Sequence, residues 1–375
     1  MRIAHIGTRG VPATFGGIEH HVEELGSRLA ARGHDVTVFC RANYVTDGRV
    51  EYRGMRLRTL PTVSSKRLDA IVHSALSTAA ALGQGFDIVH FHALGPGVMT
   101  PVPRYASKAR VVQTVHGRDD ERAKWGSGAR ALLRAAGWVS ARVPDATIVV
   151  SRDLAEHYRA RYGRATVYIA NGVERPPVAR PPRLITERFG LRGSDYVLFV
   201  GRLVPEKAPD LLIRAFAKVP GQTRLVIAGG SSFTDRYTDE LAALAAGDPR
   251  VLLPGYVYGE TLEELYANAA AFVLPSHVEG LPLTLLEAAA WGTPVVASAI
   301  APHRQVLGAD GPGRRLFPPG DADSLAVALE RSLDAVDGER AGAARLRDEV
   351  LAEYSWDAAA EATESLYAQL VDGDR

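Results

Sequence analysis

Two glutamates eight residues apart, Glu279 and Glu287, have the chemistry and the spacing to bind a polar ligand. Glu279 falls in a tight turn after an apolar strand, and Gly280 and Pro282 shape that turn. Proline also suits the first turn of a helix, so a short helix is expected to begin directly after Pro282. The two carboxylates therefore lie on either side of a helix N-terminus.

The N-terminus of this helix is expected to bind phosphate. If the helix begins at Leu283, the backbone N–H groups of Leu283 and Thr284 point out of its end, where the helix dipole also favours an anion. Glu287 lies about one turn further along, where a carboxylate can accept a hydrogen bond from a ribose hydroxyl group. A carboxylate ahead of a phosphate site and a second one behind it suit a nucleotide-sugar, in the order sugar, diphosphate and ribose.

The complete segment resembles the retaining glycosyltransferases of family 4. The shared features are the Glu-x7-Glu spacing and the sequence Gly-Thr-Pro-Val-Val-Ala at 292–297, and the resemblance covers nearly the whole chain. It implies an α/β protein with the GT-B architecture, in which two doubly wound Rossmann-like domains face each other across a cleft. It also implies sugar transfer with retention of anomeric configuration. By this resemblance Glu279 is a catalytic residue that orients the donor sugar, and the donor is bound by Gly280, Leu283, Thr284 and Glu287.

A glycine loop follows the first strand of the chain. Residues 7–19 read Gly-Thr-Arg-Gly-Val-Pro-Ala-Thr-Phe-Gly-Gly-Ile-Glu, which is not the Gly-x-Gly-x-x-Gly fingerprint of ordinary dinucleotide binding. Gly16 and Gly17 come directly before a helix, where glycine lets backbone N–H groups approach a phosphate closely. The loop resembles the donor-facing glycine loop of family 4, so both glycines are predicted to bind the donor. The complete sequence of the loop resembles that of a bacterial subgroup that includes rhamnosyltransferases of surface polysaccharides.

Two cations, Arg202 and Lys207, lie in the loop that follows the first strand of the second half. They match the cationic pair with which family 4 holds the donor diphosphate. The leaving nucleoside diphosphate gains negative charge in the transition state, and fixed cations can stabilise that charge without a metal ion. Both residues are therefore predicted to be catalytic.

Three further residues match positions of the family. His116 ends an apolar strand, where ligands bind in doubly wound sheets, and it resembles the histidine near the reacting sugar. Tyr256 and Val257 follow a strand that resembles the one whose backbone meets the nucleotide base. His116 is thus predicted to be catalytic, and Tyr256 and Val257 are predicted to bind the donor.

Four other histidines of the N-terminal half show weaker evidence of a function. His90 and His92 lie within a strand and are interpreted as structural. His20 and His21 lie on the helix after the glycine loop, in place to meet an acceptor, but neither has the sequence spacing of a metal site.

Asp321 and Asp323 match the Asp-x-Asp motif of metal-dependent glycosyltransferases. Their context is a loop followed by a helix, where a capping carboxylate explains both residues. The sequence therefore predicts no metal and no other cofactor. The donor substrate is expected to be a UDP-, dTDP- or GDP-sugar.

The charges of the chain are divided between its halves. Residues 1–175 hold 25 Lys and Arg against 15 Asp and Glu, a net charge of +10, whereas the remainder holds 19 against 28, a net charge of −9. A basic half can face an anionic substrate, a membrane surface or nucleic acid. Since the sequence shows neither zinc spacing nor an RNA-binding signature, nucleic acid is not an expected partner. The expected partners are a nucleotide-sugar and a hydroxyl acceptor, for which a lipid-linked form is one option.

A helix near residues 128–142 carries a basic stripe. Arg130, Arg134 and Arg142 recur at multiples of four, with Trp138 at the missing step. Such a face suits peripheral contact of the basic N-terminal domain with an anionic membrane, and a solvated surface is the alternative. No apolar run approaches the about 18 residues of a membrane span, and the first residues lack a signal-peptide pattern. The expected location is the cytoplasm, with peripheral contact at the inner face of the cell membrane.

Short apolar strands alternate with helical patterns along the chain, which predicts parallel sheets with crossover helices. Four prolines within residues 174–183 predict a linker, since proline continues neither a helix nor a central strand. The expected division is an N-terminal acceptor-side domain at 1–173, a linker at 174–185 and a nucleotide-sugar-binding domain at 186–354. By the family resemblance, a last helix at about 355–371 packs back on the N-terminal domain.

Two alternatives to sugar transfer stay open from the sequence. One is an epimerase that acts on a sugar-nucleotide with the same two-domain fold, and the Glu-x7-Glu turn together with the Arg-x4-Lys pair favours the transferase over it. The other is a non-catalytic protein that binds a nucleotide-sugar, and the complete set of candidate donor residues argues against it. The expected role of a transferase is in the assembly of bacterial polysaccharide, glycolipid or glycosides.

Overall fold

The computed structural model describes residues 1–14, 16–63, 69–118, 127–177, 180–231 and 235–373, and for residues 127–132 and 235 it describes the backbone alone. The chain divides into two compact units. The first consists of Met1–Gly172 and Trp356–Arg375, and the second of Val173–Ser355. Among the described residues, no helix combines the length and the apolar character that crossing a membrane requires.

The first unit is built on a sheet of eight strands, counted over its described residues. These strands are β1 Arg2–Ile6, β2 Asp35–Arg41, β3 Glu51–Tyr52, β4 Met55–Leu60, β5 Ile88–His92, β6 Arg110–Val115, β7 Ala146–Val149 and β8 Val167–Tyr168. They lie in the order β3-β4-β2-β1-β5-β6-β7-β8, and all neighbours are parallel except β3 and β4. The order reverses between β1 and β5, and ligands bind at the carboxyl ends of strands at such a point.

Helices connect these strands and bury their central residues. Ile3, Phe39 and Phe91, on β1, β2 and β5, are fully buried. Continuous burial along a strand is expected when helices cover both faces of a parallel sheet. The helices are α1 Gly17–Ala31, α2 Asp69–Ala81, α3 Leu94–Gly97, α4 Pro101–Ala106, α5 Ser127–Arg142 and α6 Arg152–Tyr162.

The second unit has a parallel sheet of six strands over its described residues. The strands are β9 Tyr196–Val200, β10 Arg224–Ala228, β11 Val251–Gly255, β12 Ala271–Leu274, β13 Val295–Ser298 and β14 Arg314–Phe317. They lie in the order β11-β10-β9-β12-β13-β14. The order reverses between β9 and β12, so the loops that follow these two strands lie side by side.

Helices also separate the strands of this sheet. Between β9 and β10, a short 3-10 helix at Pro205–Lys207 precedes the regular helix. The helices are α7 Leu184–Phe189, α8 Pro209–Phe216, α9 Asp235–Ala245, α10 Gly259–Asn268, α11 Leu283–Ala290, α12 Ala301–Leu307, α13 Ala322–Asp334 and α14 Val336–Glu353.

The last helix, α15 Trp356–Asp372, belongs to the first unit. At its start, Asp357 accepts a hydrogen bond from Arg28 Nε on α1 at 2.8 Å. Near its end, Tyr367 is fully buried, and its hydroxyl oxygen lies 2.5 Å from Nδ1 of His90 on β5. A polar contact at the surface and a buried ring thus attach the chain's end to the first sheet.

The structure confirms the predicted α/β class with two doubly wound units. The sequence pattern misses α3, α4, β3 and β14, because glycine and proline within α3 signal a turn and because polar residues in the edge strands interrupt the apolar runs. It also misses α7, which begins at Leu184 within the segment 174–185. The sequence pattern also predicts a helix from Lys66 to Leu82, which corresponds to α2; its predicted first residue, Lys66, lies outside the described residues.

Candidate active site

The carboxyl ends of β9 and β12 form the candidate active site of the second unit. The loops after the two strands touch, since the backbone N–H of His277 donates to the carbonyl oxygen of Glu206 at 2.9 Å. At the end of the neighbouring β10, a Cβ on Gly229 would lie 1.8 Å from the carbonyl oxygen of Gly201, so only glycine permits this approach. The first loop carries both predicted cations, and the second carries the first glutamate of the pair.

Glu279 is ionised although it is nearly buried. Its side chain is 10% exposed, and its carboxylate accepts hydrogen bonds from Lys207 Nζ at 2.5 Å and from Ser276 Oγ at 2.7 Å. Burial by itself raises the pKa of Glu279, but the charge of Lys207, aided by His303 and by the two hydrogen bonds, holds that pKa below its usual range. Glu279 therefore carries a negative charge at neutral pH.

The two predicted cations have different surroundings. Lys207 ends the 3-10 helix, and its side chain, 13% exposed, contacts Glu279 directly. Arg202 follows β9 and is partly buried. The structure thus brings the predicted diphosphate-binding lysine into contact with the predicted sugar-orienting glutamate, a contact that the sequence pattern does not predict.

The helix behind this turn begins where the sequence predicts. α11 begins at Leu283, with Pro282 as its N-cap residue and Gly280 buried in the preceding turn. The hydroxyl oxygen of Thr284 is buried and has no hydrogen-bond partner among the residues that the structure describes. A buried hydroxyl group without a partner in the first turn of a helix is suited to donate to a phosphate oxygen.

Glu287 lies one turn further along α11 and has a partner of its own. The hydroxyl group of the buried Tyr266 donates to Glu287 Oε2 at 2.8 Å. Burial first, and then the charge of Glu287 and this hydrogen bond, raise the pKa of Tyr266 well above its usual range. The tyrosine therefore stays protonated, and its hydrogen bond orients the carboxylate.

Tyr256 and Val257 directly follow β11. The ring of Tyr256, 38% exposed, stacks on that of Tyr258 with 5.9 Å between the centroids, and its hydroxyl group donates to the carbonyl oxygen of Ser231 at 3.1 Å. A Cβ on Gly230 would lie 2.4 Å from the Tyr256 ring. The ring therefore lies directly against the backbone at the end of β10.

In the first unit, the glycine loop joins β1 to α1, whose first residue is Gly17. Gly16 has a φ of 106°, and a Cβ there would lie 2.1 Å from Glu19 Oε2, so this position requires glycine. The other oxygen of Glu19 accepts a hydrogen bond from the backbone N–H of Arg9 at 3.1 Å, which holds the start of the loop near its end. Phe15, the residue before Gly16, lies outside the described residues.

His116 follows β6 and lies in a cluster of histidine rings. Its Nε2 lies 3.4 Å from Nδ1 of His92, the last residue of β5, and its ring meets that of His21 edge-on with 4.6 Å between the centroids. His90 has hydrogen bonds on both ring nitrogens, which agrees with a structural role. The position of His116 at a strand end is the predicted one, whereas the surrounding rings are not predicted.

Family models match both units of the chain. The model described as Glycosyltransferase Family 4 matches residues 15–175, and the model described as Glycosyl transferases group 1 matches residues 194–335. A D-inositol 3-phosphate glycosyltransferase from Xylanimonas cellulosilytica is 30% identical, over 94% of this chain and 92% of its own. The chain belongs to glycosyltransferase family 4.

Other relatives and solved structures agree with this assignment. This family 4 glycosyltransferase is 29% identical to the glycogen synthase of Mycobacterium tuberculosis, over 100% of this chain and 96% of that one. Sucrose-phosphate synthase from Thermosynechococcus elongatus has a TM-score of 0.84 at 26% identity, with 99% of both chains covered. Anabaena HepE in complex with UDP-glucose has a TM-score of 0.82 at 20% identity, over 98% of this chain and 100% of its own, which shows the fold alone. The predicted GT-B fold is thereby confirmed.

The site of this glycosyltransferase also contains His303, which the sequence pattern does not reveal. His303 lies on α12 and is fully buried, and its Nδ1–H donates to the carbonyl oxygen of Ser298 at 2.8 Å. Burial lowers its pKa to about 4, against the opposing effect of the Glu279 charge. In the sequence, only the position of His303 after the strand β13 points to the site. Neighbouring parallel strands end at the same edge of a sheet, so residues after β13 lie near those after β12.

The Asp-x-Asp motif of the glycosyltransferase is a helix cap. Asp321 is the N-cap residue of α13, and its Oδ1 accepts hydrogen bonds from the backbone N–H groups of Asp323 and Ser324, both at 3.0 Å. The side chain of Asp323 is paired with Lys218. The predicted capping role of Asp321 is thus confirmed.

The basic stripe of the glycosyltransferase lies on α5. Arg134 and Arg142 are exposed, and the side chain of Trp138 is 56% exposed. The side chain of Arg130 lies outside the part of the chain that the structure describes. Leu133, on the same helix, is buried and belongs to the core of the first unit.

Proposed function

We propose that this enzyme transfers a sugar from a nucleotide-diphosphate-sugar to a hydroxyl acceptor, with retention of anomeric configuration and without a metal ion. The single observation that carries this function is a buried, ionised Glu279 bonded to Lys207 in the turn before α11. The carboxylate can orient sugar hydroxyl groups, while the lysine and the helix N-terminus can bind a diphosphate. One loop pair thus offers groups for both parts of the donor.

In the proposed reaction, the bond between C1 of the donor sugar and the phosphate oxygen breaks, and a bond from C1 to the acceptor oxygen forms on the same face. The acceptor proton passes to an oxygen of the leaving diphosphate. Arg202 and Lys207 stabilise the negative charge that develops there, and the Glu279 contact already holds Lys207 in place before the reaction. The N–H groups of Leu283 and Thr284 bind the same phosphates.

We assign the other donor contacts by the resemblance to the family, and the position of each residue supports the assignment. Glu279 orients the donor sugar, and Gly280, next to it in the turn before α11, also contacts the donor. Glu287, oriented by Tyr266, accepts from a ribose hydroxyl group. The segment of Tyr256 and Val257 after β11 contacts the base.

We assign binding of the acceptor to the first unit. His116 contacts the reacting sugar, and the N–H groups near Gly16 and Gly17 approach the donor phosphates. The requirement for glycine at position 16 supports a close backbone approach at this loop.

The proposed substrates are a UDP-, dTDP- or GDP-sugar and a hydroxyl group of a growing bacterial polysaccharide, glycolipid or glycoside. The structure of HepE in complex with UDP-glucose, on the same fold, supports a nucleotide-sugar donor. The sequence of the glycine loop at 7–19 supports a rhamnosyltransferase-like role in polysaccharide assembly. The basic first half supports a lipid-linked acceptor at the inner face of the cell membrane.

A donor screen followed by product analysis tests this function. Thermal unfolding is measured with UDP-, dTDP-, GDP- and ADP-sugars, since a ligand at a hundredfold excess over its Kd stabilises the fold by about 2.7 kcal/mol. The stabilising donor is then incubated with hydroxyl acceptors, and the anomeric configuration of the product is determined by NMR. We expect a glycoside whose anomeric configuration equals that of the donor.

Three outcomes would contradict the proposal in distinct ways. An inverted product contradicts retention. An epimerised sugar with free UDP, formed without an acceptor, identifies an epimerase instead. Binding of a donor without turnover on any acceptor identifies a binding protein.

A further inference from the structure

Three histidines from separate parts of the first unit converge at the carboxyl ends of its central strands. His21 lies on α1, His92 ends β5, and His116 follows β6. One ring nitrogen of each lies within 4.8 Å of those of the other two. His21 and His92 are buried, and His116 is partly exposed. Three imidazole nitrogens this close together, with one ring reaching the surface, form a ligand set of the kind that binds transition metals.

The hydrogen bond between His21 and Asn171 fixes which ring nitrogen of His21 carries the lone pair. Its Nδ1 lies 2.9 Å from Oδ1 of Asn171, and an amide oxygen only accepts, so the proton of His21 is on Nδ1. The lone pair is then on Nε2, which is buried and has no hydrogen-bond partner among the described residues. A buried lone pair that no described residue uses is available to bind a metal, and a ring fixed through its other nitrogen is typical of metal-binding histidine.

The distance between the other two rings fits a metal better than it fits a hydrogen bond. His92 Nδ1 and His116 Nε2 are 3.4 Å apart, longer than the about 2.9–3.0 Å of a good hydrogen bond. In a tetrahedral site with Zn–N bonds of about 2.0–2.1 Å, neighbouring nitrogens are about 3.3–3.4 Å apart.

His92 also has an outer partner of the kind that metal sites use. Its Nε2 lies 2.9 Å from Nδ1 of His5, so His92 can donate from Nε2 and present the Nδ1 lone pair to the cluster.

A second group of rings, His5, His90 and His92, is a weaker alternative. His90 already has a partner on each ring nitrogen, Tyr367 Oη at 2.5 Å and Thr114 Oγ1 at 2.7 Å. A metal there would displace one of these hydrogen bonds. The cluster of His21, His92 and His116 needs no such loss at His21.

We propose that His21, His92 and His116 bind one Zn²⁺, or a similar divalent transition-metal ion, with the fourth coordination position open. Three histidine ligands and an open position are an established arrangement for Zn²⁺ in proteins. The ion is not part of the transfer reaction. Because it takes the nitrogen of His116, which the proposed function gives to the sugar, bound Zn²⁺ inhibits transfer. This inhibition, unlike the metal binding, rests on the proposed function.

A Co²⁺ titration of the full-length chain, stripped with EDTA and carrying no polyhistidine tag, tests the site. Co²⁺ replaces Zn²⁺ and has visible absorption bands that report four-coordinate geometry. We expect one Co²⁺ per chain with such bands, and displacement of Co²⁺ by an equal amount of Zn²⁺. Calorimetry with Zn²⁺ alone then gives the affinity.

The variants distinguish ligands from neighbours. Asn171→Leu removes an outer partner and should weaken Zn²⁺ binding about 10–100-fold, and His21→Gln and His92→Gln should weaken it more. His20→Gln, the neighbouring histidine on the same helix, should leave the affinity unchanged. If thermal unfolding shows that His92→Gln does not fold, His21→Gln and Asn171→Leu decide the question.

Several results would overturn the site. These are the absence of one-to-one binding at micromolar metal, bands of octahedral Co²⁺ only, or an affinity that His21→Gln leaves intact. The inhibition is tested separately, by the effect of Zn²⁺ on transfer in the native enzyme and in Asn171→Leu. If the chain binds the metal but shows no transfer even in its metal-free form, the proposed function is contradicted and the metal site stands. If the chain shows transfer but binds no metal, the metal site is contradicted and the proposed function stands.

Discussion

Glu279 keeps its charge at a nearly buried position because Lys207 and Ser276 offset the effect of burial. Burial alone raises the pKa of a carboxyl group and favours the neutral acid. Here the ammonium group of Lys207 lies 2.5 Å from Oε1, and the pKa of Glu279 stays below its usual range. Lys207 therefore has two tasks in the proposed reaction, since it stabilises the leaving diphosphate and also keeps its neighbour ionised.

Replacing Lys207 with methionine should show both tasks. Without the lysine charge, burial dominates, so the pKa of Glu279 rises and the acid limb of the kcat/KM profile moves to higher pH. Turnover should also fall by roughly 10²-fold or more at every pH, because a group that stabilises the leaving anion is lost. The measurement is a pH–rate profile of the native enzyme and of Lys207→Met.

Arg202→Met is the matched control for this profile. It removes the other cation of the same loop but leaves the partner of Glu279 in place. We expect slower turnover with the acid limb unmoved. If the acid limb of Lys207→Met also stays in place, Lys207 does not set the ionisation of Glu279.

Glu279 and Glu287 should differ in their contributions to turnover and to nucleotide affinity. Glu279→Gln should lower turnover more than nucleotide affinity, whereas Glu287→Gln should lower both, because only the second carboxylate is assigned to the ribose. Tyr266→Phe should cause a smaller loss of affinity than Glu287→Gln, since it removes the hydrogen bond that orients Glu287 and not the carboxylate itself. Calorimetry with a nucleoside diphosphate measures these affinities. Loss of nucleotide binding in Glu279→Gln, with Glu287→Gln unaffected, would mean that the donor lies in the opposite direction.

At the scale of elements, sheet order decides which loops form the site. β9 lies between β10 and β12, so the loops after all three strands share one edge. The backbone N–H of Leu203, after β9, donates to the carbonyl oxygen of Gly230, after β10, at 3.0 Å. Gly229 and Gly230 leave space there for a carbonyl oxygen and for the Tyr256 ring.

Gly230→Ala should weaken nucleotide binding. The new Cβ would lie 2.4 Å from the Tyr256 ring, so the ring must move away from its place after β11. We expect a loss of affinity on the order of tenfold, equal to about 1.4 kcal/mol. Gly338→Ala is the control, because a Cβ there meets no atom of the described residues within 4 Å and alanine favours the helix. Equal affinities of the two variants would remove Tyr256 from the donor site.

Asp321→Ala should reduce stability and leave catalysis intact. Loss of the N-cap hydrogen bonds of α13 should lower the free energy of unfolding by about 0.5–2 kcal/mol. The rate of transfer should match that of the native enzyme, and EDTA should not slow either protein. Chemical denaturation and a rate assay with and without EDTA measure both effects. Loss of turnover in EDTA that manganese restores would show that transfer depends on a metal.

At the scale of the whole molecule, charge separates the two halves of the chain. Residues 1–175 carry a net charge of +10 and the remainder carries −9, from 25 basic against 15 acidic residues and 19 against 28. On the basic half, α5 presents Arg134, Arg142 and a Trp138 that is 56% exposed. Arginines around an exposed tryptophan suit the boundary between water and an anionic lipid surface.

The enzyme should therefore bind anionic vesicles in a salt-dependent manner. Each basic residue near such a surface contributes about 1 kcal/mol, and high salt screens this contribution. We expect co-sedimentation at low salt that decreases at high salt, and a loss of binding in a variant with Arg134→Glu and Arg142→Glu. The measurement is the bound fraction against salt concentration.

A double variant on another helix is the control for charge alone. Arg159→Glu and Arg161→Glu change the net charge by the same amount at exposed positions of α6. They should weaken binding less than the variant on α5. Equal losses in the two double variants would assign binding to net charge and not to α5, and the absence of low-salt binding in the native enzyme would exclude the membrane surface.

The sequence by itself determined the features that depend on neighbours along the chain. Alternating apolar strands and helical patterns predict two doubly wound units, because burial between helices demands continuous apolar strands. The turn after β12 and the start of α11 at Leu283 follow from Gly280 and Pro282, whose backbone preferences act within a few residues. The N-cap at Asp321 could be predicted for the same reason, because it depends only on residues within one helical turn.

Only the tertiary structure decided which distant side chains meet. Lys207 reaches Glu279, and Tyr266 reaches Glu287, because β9, β12 and the helices beside them are neighbours in the sheet and not in the chain. His21, His92 and His116 converge for the same reason, although none has the sequence spacing of a metal site. The order of strands in a sheet is set by packing between elements far apart in the chain, so no local pattern of residues contains it.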